Sequence, residues 1–259
     1  MGRTLDIDHV FYQWNQAFPT WRQAWDEQSG RTPMISWARY PASAINSGSQ
    51  DQWIKSEADA VRNFRAPILL RWFSQMEANA PEAGTTSTFI AAWRHIHDIF
   101  DQEGATNARF VWCPNAFSFA SGSAQSFYPG DAYVDWICAD GYNWSPVTPG
   151  GKPGGRWTSF QSIFNAFYQW GSTRGKPLMV GETGVQEGAS GQKAQWLADM
   201  GTAMSTQFPG IKALVYQDSI TSTSGGAIDW RVNSSASAIA AFSRLVHEPF
   251  MHSPTPPAG

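Results

Sequence analysis

The residues able to do chemistry in this sequence follow short apolar runs. Glu182 stands in LMVGETG, directly after an apolar stretch and flanked by Gly181 and Gly184. A carboxylate placed so is presented where a strand ends, with backbone room for a ligand. The plainer alternative is a glutamate that caps the following loop or pairs with an arginine such as Arg71. Arg71 lies inside the apolar run PILLRW. A charge there is costly unless paired, and its natural partner is a carboxylate; the alternative is an arginine that satisfies strand ends. The other polar or aromatic residues that close apolar runs are Trp37 and Arg39; Ser74, Gln75 and Glu77; Asn115; Asp140, Tyr142, Asn143 and Trp144; and Gln217 and Asp218. This inventory holds carboxylates, amides and aromatics. No His closes a run, no Cys opens a helix, and no G-x-S-x-G elbow, phosphate loop or dinucleotide fingerprint occurs. GGKPGG at 150–155 lacks the Ser/Thr and spacing of a phosphate loop and reads as a flexible loop.

Seven segments read as strands that would present these residues: Val10–Trp14, Pro33–Trp37, Ile68–Phe73, Arg109–Cys113, Val134–Ala139, Leu178–Gly181 and Ala213–Gln217. Each is short and apolar on nearly every residue, as a strand covered on both faces is. Helical patterns alternate with them. Phe89, Trp93, Ile96 and Phe100 step by four, three and four, and Phe160, Ile163 or Phe164, Phe167 and Trp170 do likewise. Gly104 and Gly175 sit where helix ends belong. SGQKAQWLADMGTAMSTQF and SASAIAAFSRLV read as the last two helices.

Strands alternating with helices predict an α/β fold with a parallel sheet. The chain has 259 residues, and a (β/α)8 TIM barrel takes about 250, so one barrel would use all of it. The expected organisation is a single barrel domain over 1–250 followed by a Pro-rich linker stub, 251–259. Seven strands are one short of eight, and the sequence starts almost directly on a strand. The reading is therefore a barrel lacking its first βα unit, through a late start codon, a truncation or a fragmentary reading frame. Such a barrel would expose the edges of the Val10–Trp14 and Ala213–Gln217 strands.

Composition narrows the partner. Charged residues are 15% and net charge is −3, with no Lys/Arg cluster, so no nucleic-acid partner is expected. No apolar run approaches the roughly 20 residues of a membrane-spanning helix. Aromatics reach 14%, with 14 Trp among them. Sugar rings stack their apolar faces on indole, so this raises a carbohydrate ligand beside the plainer reading of aromatics as core bulk. His95 and His97 are two apart on a helix and point away from each other, so they read as no metal pair. His9, His247 and His252 read as isolated. Cys113 and Cys138 fall on neighbouring strands and read as buried free thiols, with a disulfide as the minority option. The N-terminus MGRTLDIDHV has no apolar core of a signal peptide.

The sequence resembles glycoside hydrolase family 26, known for endo-β-1,4-mannanases. The likeness is carried by PMISWARYP, SGSQDQWIKSEADAVRNFRAPILLRW, FVWCPN, YPGDAYVDWICADGYNW, KPLMVGETG, ALVYQDS and DWRVNSS, in order and spacing over most of the chain. The resemblance implies a (β/α)8 barrel of the retaining clan, with two glutamates at strand ends. One carboxylate attacks the anomeric carbon; the other protonates the leaving oxygen and later deprotonates water, the two being about 5–5.5 Å apart. Glu182 matches the nucleophile. The acid/base of the family lies in a run like R-x-x-H-E-M-N-G, here Arg71-Trp72-Phe73-Ser74-Gln75-Met76-Glu77-Ala78. Met76 sets the register, so Gln75 occupies the acid/base position and Ser74 that of the histidine. By the same likeness Tyr142 contacts the nucleophile, Trp144 and Trp37 are subsite platforms, and Asn115, Arg71 and Gln217 shape the floor of the site.

An amide hydrogen-bonds a glycosidic oxygen but cannot protonate it, and general acid–base help is worth about 10²–10⁴-fold. Three explanations stand: a substitution made to trap a sugar complex, a naturally inactive sugar binder, or Glu77 in the role, on the same side two residues on if the strand continues. The expected function is an endo-acting retaining hydrolase of a β-linked polysaccharide, foremost β-1,4-mannan. The alternatives are a related hydrolase of xylan, mixed-linkage glucan or arabinan, or a catalytically impaired carbohydrate-binding pseudo-enzyme. The mechanism requires no cofactor or metal. The expected partner is a polysaccharide or oligosaccharide, with no nucleic acid or membrane; the expected state is a monomer, and the expected place is extracellular, from the family.

Overall fold

The computed structural model describes residues 2–78 and 80–251. They fall into two compact sets, one of residues 4–139 with 173–177, the other of 140–172 and 178–251 with the first residues of the chain. Beyond Met251 the expected Pro-rich stub, and His252 with it, lies outside the described residues.

The first set opens on β1 (Ile7–Tyr12), α1 (Trp21–Gln28), β2 (Thr32–Trp37), α2 (Ala42–Asn46), α3 (Asp51–Phe64) and β3 (Ile68–Trp72). It continues through α4 (Thr86–Gln102), β4 (Ala108–Trp112), α5 (Ser123–Ser126) and β5 (Trp136–Asp140). Strands are neighbours in chain order and parallel, with Val10 beside Ile35, Met34 beside Leu69, Ile68 beside Ala108 and Trp112 beside Ile137. Every residue of β3 is buried, and all of β2 after Thr32, as strands covered on both faces require. Helix α4 buries the predicted face of Phe89, Trp93, Ile96 and Phe100. Thr85 begins it by accepting the Thr88 N–H at 3.1 Å, and Gly104, at φ 71°, lets the chain leave it.

The second set holds α6 (Phe160–Gly171), β6 (Leu178–Thr183), α7 (Gln192–Thr206), β7 (Ile211–Tyr216), the hairpin β8 (Ile220–Thr223) and β9 (Gly226–Asp229), and α8 (Ala236–Leu245). Strands β6 and β7 pair in parallel, with two register shifts. Phe160, Ile163, Phe164 and Phe167 are buried along α6. Trp170 is only half-buried, so that apolar face ends one turn earlier than the spacing predicts.

All seven predicted strands form, with three corrections nearby. β1 ends at Tyr12, which pairs with Trp37. Trp14 lies past the strand and stacks on Trp37 with centroids 4.2 Å apart. Its aromatic bulk serves packing rather than a further rung. The β8–β9 hairpin has no counterpart among the predicted elements; its polar TSTSGGAID carries a weak strand signal around a Ser-Gly turn. Cys113 and Cys138 are not free thiols but a disulfide, with Cα atoms 4.3 Å apart. The pairing of Trp112 with Ile137 makes the two cysteines the next rung, a register that composition could not supply. Among the described residues no helix is long and apolar enough to cross a membrane.

Glu57, on α3, is 2% exposed and accepts the Phe18 N–H at 2.8 Å. Burial pushes its carboxyl up to about 7. A group raised in the folded state contributes stability that is full below its unfolded value, about 4.5, and lost as pH rises through the folded one. Chemical melts from pH 4 to 8 are expected to show that loss between those values, and Glu57→Gln to flatten it. Parallel profiles for the two proteins would remove Glu57 as its cause.

Candidate active site

In the second set the site is built on the end of β6. Leu178, Met179 and Val180 are buried, which fixes the strand and delivers the half-buried Glu182 near its end. Residues 141–143 run alongside: the Gly141 N–H donates to the Glu182 carbonyl at 2.9 Å and the Asn143 N–H to the Gly184 carbonyl at 3.0 Å. Tyr142 therefore lies beside the glutamate, and its hydroxyl donates to Glu182 Oε2 at 2.9 Å.

Aromatic rings back this pair. Tyr142 packs against Trp144, 5.2 Å between centroids, and Trp230, 4.8 Å away. Trp230 is 1% exposed and its Nε1 donates to Thr221 Oγ1 at 3.1 Å. A Cβ at Gly184 would lie 3.0 Å from the Trp230 ring and 3.3 Å from Tyr142. This glycine thus makes room for side chains of the protein, where the sequence suggested room for a ligand. Trp144 is half-buried, so part of its ring is open. Gln217 gives its N–H to the Thr183 carbonyl at 2.8 Å and its Nε2 to Ser219 Oγ at 2.6 Å. Trp230 is the residue that reading by strand ends missed. Its signal was its place in DWRVNSS.

In the first set β3 stops at Trp72 and residues 73–78 form turns. Phe73 and Gln75 both take positive φ, 54° and 55°, a region that costs a side-chain-bearing residue about 1 kcal/mol. The turn is held to the end of β4. The Gln75 N–H donates to the Cys113 carbonyl at 2.9 Å. Glu77 Oε1 accepts the Asn115 N–H at 2.7 Å and the Ser118 hydroxyl at 2.9 Å. The strand therefore does not continue to Glu77, and the same-side alternation suggested for it does not apply. Burial raises the Glu77 carboxyl above its ordinary value. Asn115 Oδ1 accepts the Phe117 N–H at 3.0 Å, so its side chain caps the turn that follows.

Arg71 is wholly buried. Its Nε donates to Ser36 Oγ at 2.6 Å, its Nη2 lies 3.3 Å from His9 Nε2, and its Nη1 lies 3.7 Å from Cys113 Sγ. His9 Nε2 is also 2.6 Å from Ser36 Oγ, so His9 is not isolated. Burial, then the Arg71 charge, hold its imidazole well below the usual range, hence neutral. Trp37 is no platform. It is 1% exposed, stacked on Trp14 and met edge-on by Phe18 at 5.1 Å. A ring so enclosed has no face to offer a sugar. Beside it a cleft of about 260 Å³ is lined by Phe11, Gln13, Arg39 and Ser74 among others. His95 pairs with Asp51 at 2.6 Å, while His97 packs on Phe110 and Tyr133. His247 bonds the Ser243 carbonyl at 2.6 Å.

Comparison with known proteins follows the same lines. Residues 43–168 match the family model for glycosyl hydrolase family 26. The chain is 32% identical over 258 residues to Endoglucanase H of Acetivibrio thermocellus, spanning 95% of this chain and 28% of that protein's length. A β-mannanase of that family from Bacteroides ovatus superposes with a TM-score of 0.61 at 16% identity, over 89% of this chain and 72% of the other. The catalytic domain of an endo-β-1,4-mannanase from Bacillus sp. JAMB-750 gives 0.63 at 16% identity, over 87% and 68%. These likenesses show the fold: α/β, of the TIM-barrel type, with seven parallel strands among the described residues.

Glu77 is expected to behave as a clamp. Glu77→Ala leaves the part-buried Asn115 N–H without its acceptor and should lose about 1 kcal/mol, with Glu77→Gln losing less. Urea melts of the three proteins measure this, and equal midpoints would show that the clamp carries no weight.

Proposed function

We propose, from the match of residues 43–168 to the model of glycosyl hydrolase family 26, that the chain is a retaining, endo-acting hydrolase of a β-linked polysaccharide, with Glu182 as nucleophile. The observation that carries this reading is the Tyr142 hydroxyl on Glu182 Oε2 at 2.9 Å. It holds the carboxylate in one orientation at the end of the strand. Attack forms the ester of a glycosyl-enzyme as the glycosidic bond breaks. Water then cleaves the ester with retention of configuration. Trp144 offers a partly open indole face to a sugar ring. The acid/base position is that of Gln75, whose amide can hydrogen-bond the departing oxygen without giving it a proton. Natural polymers, whose leaving groups need that proton, are then cut slowly.

The motifs favour a β-1,4-mannan. A second reading, a β-glucan, is favoured by the name of the 32%-identical relative. A polymer too large to enter a cell places the protein outside it, and the proposed working unit is a monomer.

Reducing-sugar release from β-mannan, mixed-linkage β-glucan, xylan and arabinan tests the proposal, with the unaltered chain beside Gln75→Glu. Restoring the acid should raise turnover on one polymer by about 10²–10⁴-fold, and that polymer is the substrate. Equal activity of both proteins would move the acid role away from position 75. No activity from two folded proteins that still bind the polymer would make this a sugar-binding protein.

A further inference from the structure

Lys193 is a charge in an unfavourable place. It lies in the first turn of α7, where the helix dipole disfavours a cation. It is wholly buried, where an ammonium is costly unless its protons are bonded. Burial accordingly lowers its basicity, while Glu187, Asp229 and Asp218 oppose that fall and Arg231 adds to it. What the ammonium does there is specific. Nζ donates to the Arg231 carbonyl at 2.6 Å and to the Trp230 carbonyl at 3.2 Å. These two carbonyls directly follow β9, so one buried group fixes the chain where the hairpin ends.

The indole of Trp230 is thereby fixed as well. It fills the space left by Gly184 and lies 4.8 Å from the Tyr142 ring and 5.2 Å from Trp144. Tyr142 carries the hydroxyl that bonds Glu182. The links run without a gap through one compact set of residues: ammonium, carbonyl pair, indole, phenol, carboxylate. From this geometry we propose that Lys193 is a positioning residue, which holds Trp230 against Tyr142 and so keeps the tyrosine hydroxyl on Glu182. The inference rests on the reading of Glu182 as nucleophile. Its consequence is that a buried helix residue with no contact to substrate sets the orientation of the reacting carboxylate.

The test reads the glycosylation step alone. A 2,4-dinitrophenyl β-mannobioside or β-cellobioside departs without proton help, so the burst of dinitrophenolate reports attack by Glu182 even with Gln75 in place. Burst rates are measured from pH 4 to 8 for the unaltered chain, Glu182→Gln, Tyr142→Phe, Lys193→Met and the double variant of Tyr142 and Lys193. Glu182→Gln should abolish the burst. Tyr142→Phe should slow it, because the carboxylate loses the bond that orients it. Lys193→Met should slow it by about tenfold. In the Tyr142→Phe background it should add nothing, as expected for two residues acting through one link. A merely structural lysine would lower the melting temperature and the burst amplitude and leave the burst rate in place. An unmoved burst rate, or a full additional effect in the double variant, overturns the proposal while Glu182 stands. A surviving burst in Glu182→Gln, or no dinitrophenolate release from any glycoside even with Gln75→Glu, overturns the nucleophile and Lys193's role together. Should Lys193→Met fail to melt cooperatively, Lys193→Gln, which keeps a donor of shorter reach, takes its place with the same outcomes.

Discussion

A strand covered on both faces leaves little room for a charge, and one that emerges near its end must be satisfied at once. Glu182 meets this constraint through the Tyr142 hydroxyl at 2.9 Å. Much of the second set of residues follows from keeping that bond. Residues 141–143 run hydrogen-bonded beside 182–184. Gly184 has no side chain because the rings of Trp230 and Tyr142 occupy the space. Lys193 is buried against the chain at 230–231. Each looks like a local oddity alone, and together they hold one phenol against one carboxylate.

The turn after β3 follows a different logic. Two residues with side chains accept left-handed backbone, Phe73 and Gln75. Such strain persists only where the surroundings over-determine it. Here the Gln75 N–H is bound to the Cys113 carbonyl, Cys113 is bonded to Cys138, and Glu77 grips Asn115 and Ser118. The scaffold around position 75 is thus intact although an amide stands where the resemblance leads one to expect a carboxyl.

The aromatic content divides the same way. Trp37, Trp72, Trp93, Trp112 and Trp230 are all but wholly buried, so much of the indole that suggested sugar stacking is core. Trp37 could not be told from a platform by sequence, because a strand-end position is the same for a ring that faces a cleft and one stacked under Trp14. Trp144, half-buried in the segment after β5, keeps part of its ring open.

The sequence by itself determined the order of seven strands, the apolar faces of α4 and α6, and the placement of Glu182, Tyr142 and Gln75 at or just past strand ends. Those features are local: burial on both faces writes a short apolar run, and a 3.6-residue period writes a helix face. It also carried the resemblance to a family, because the motifs keep their order and spacing. Only the tertiary structure decided the rest. Strand register put Cys113 and Cys138 opposite each other on one rung. The end of β3 at Trp72 gave Glu77 to Asn115 instead of to a strand face. Packing put Trp230 behind Tyr142 and Lys193 beneath Trp230, across 88 and 37 positions of chain. Contacts of that kind join residues far apart in sequence, and no local pattern records which distant partner a buried side chain will meet.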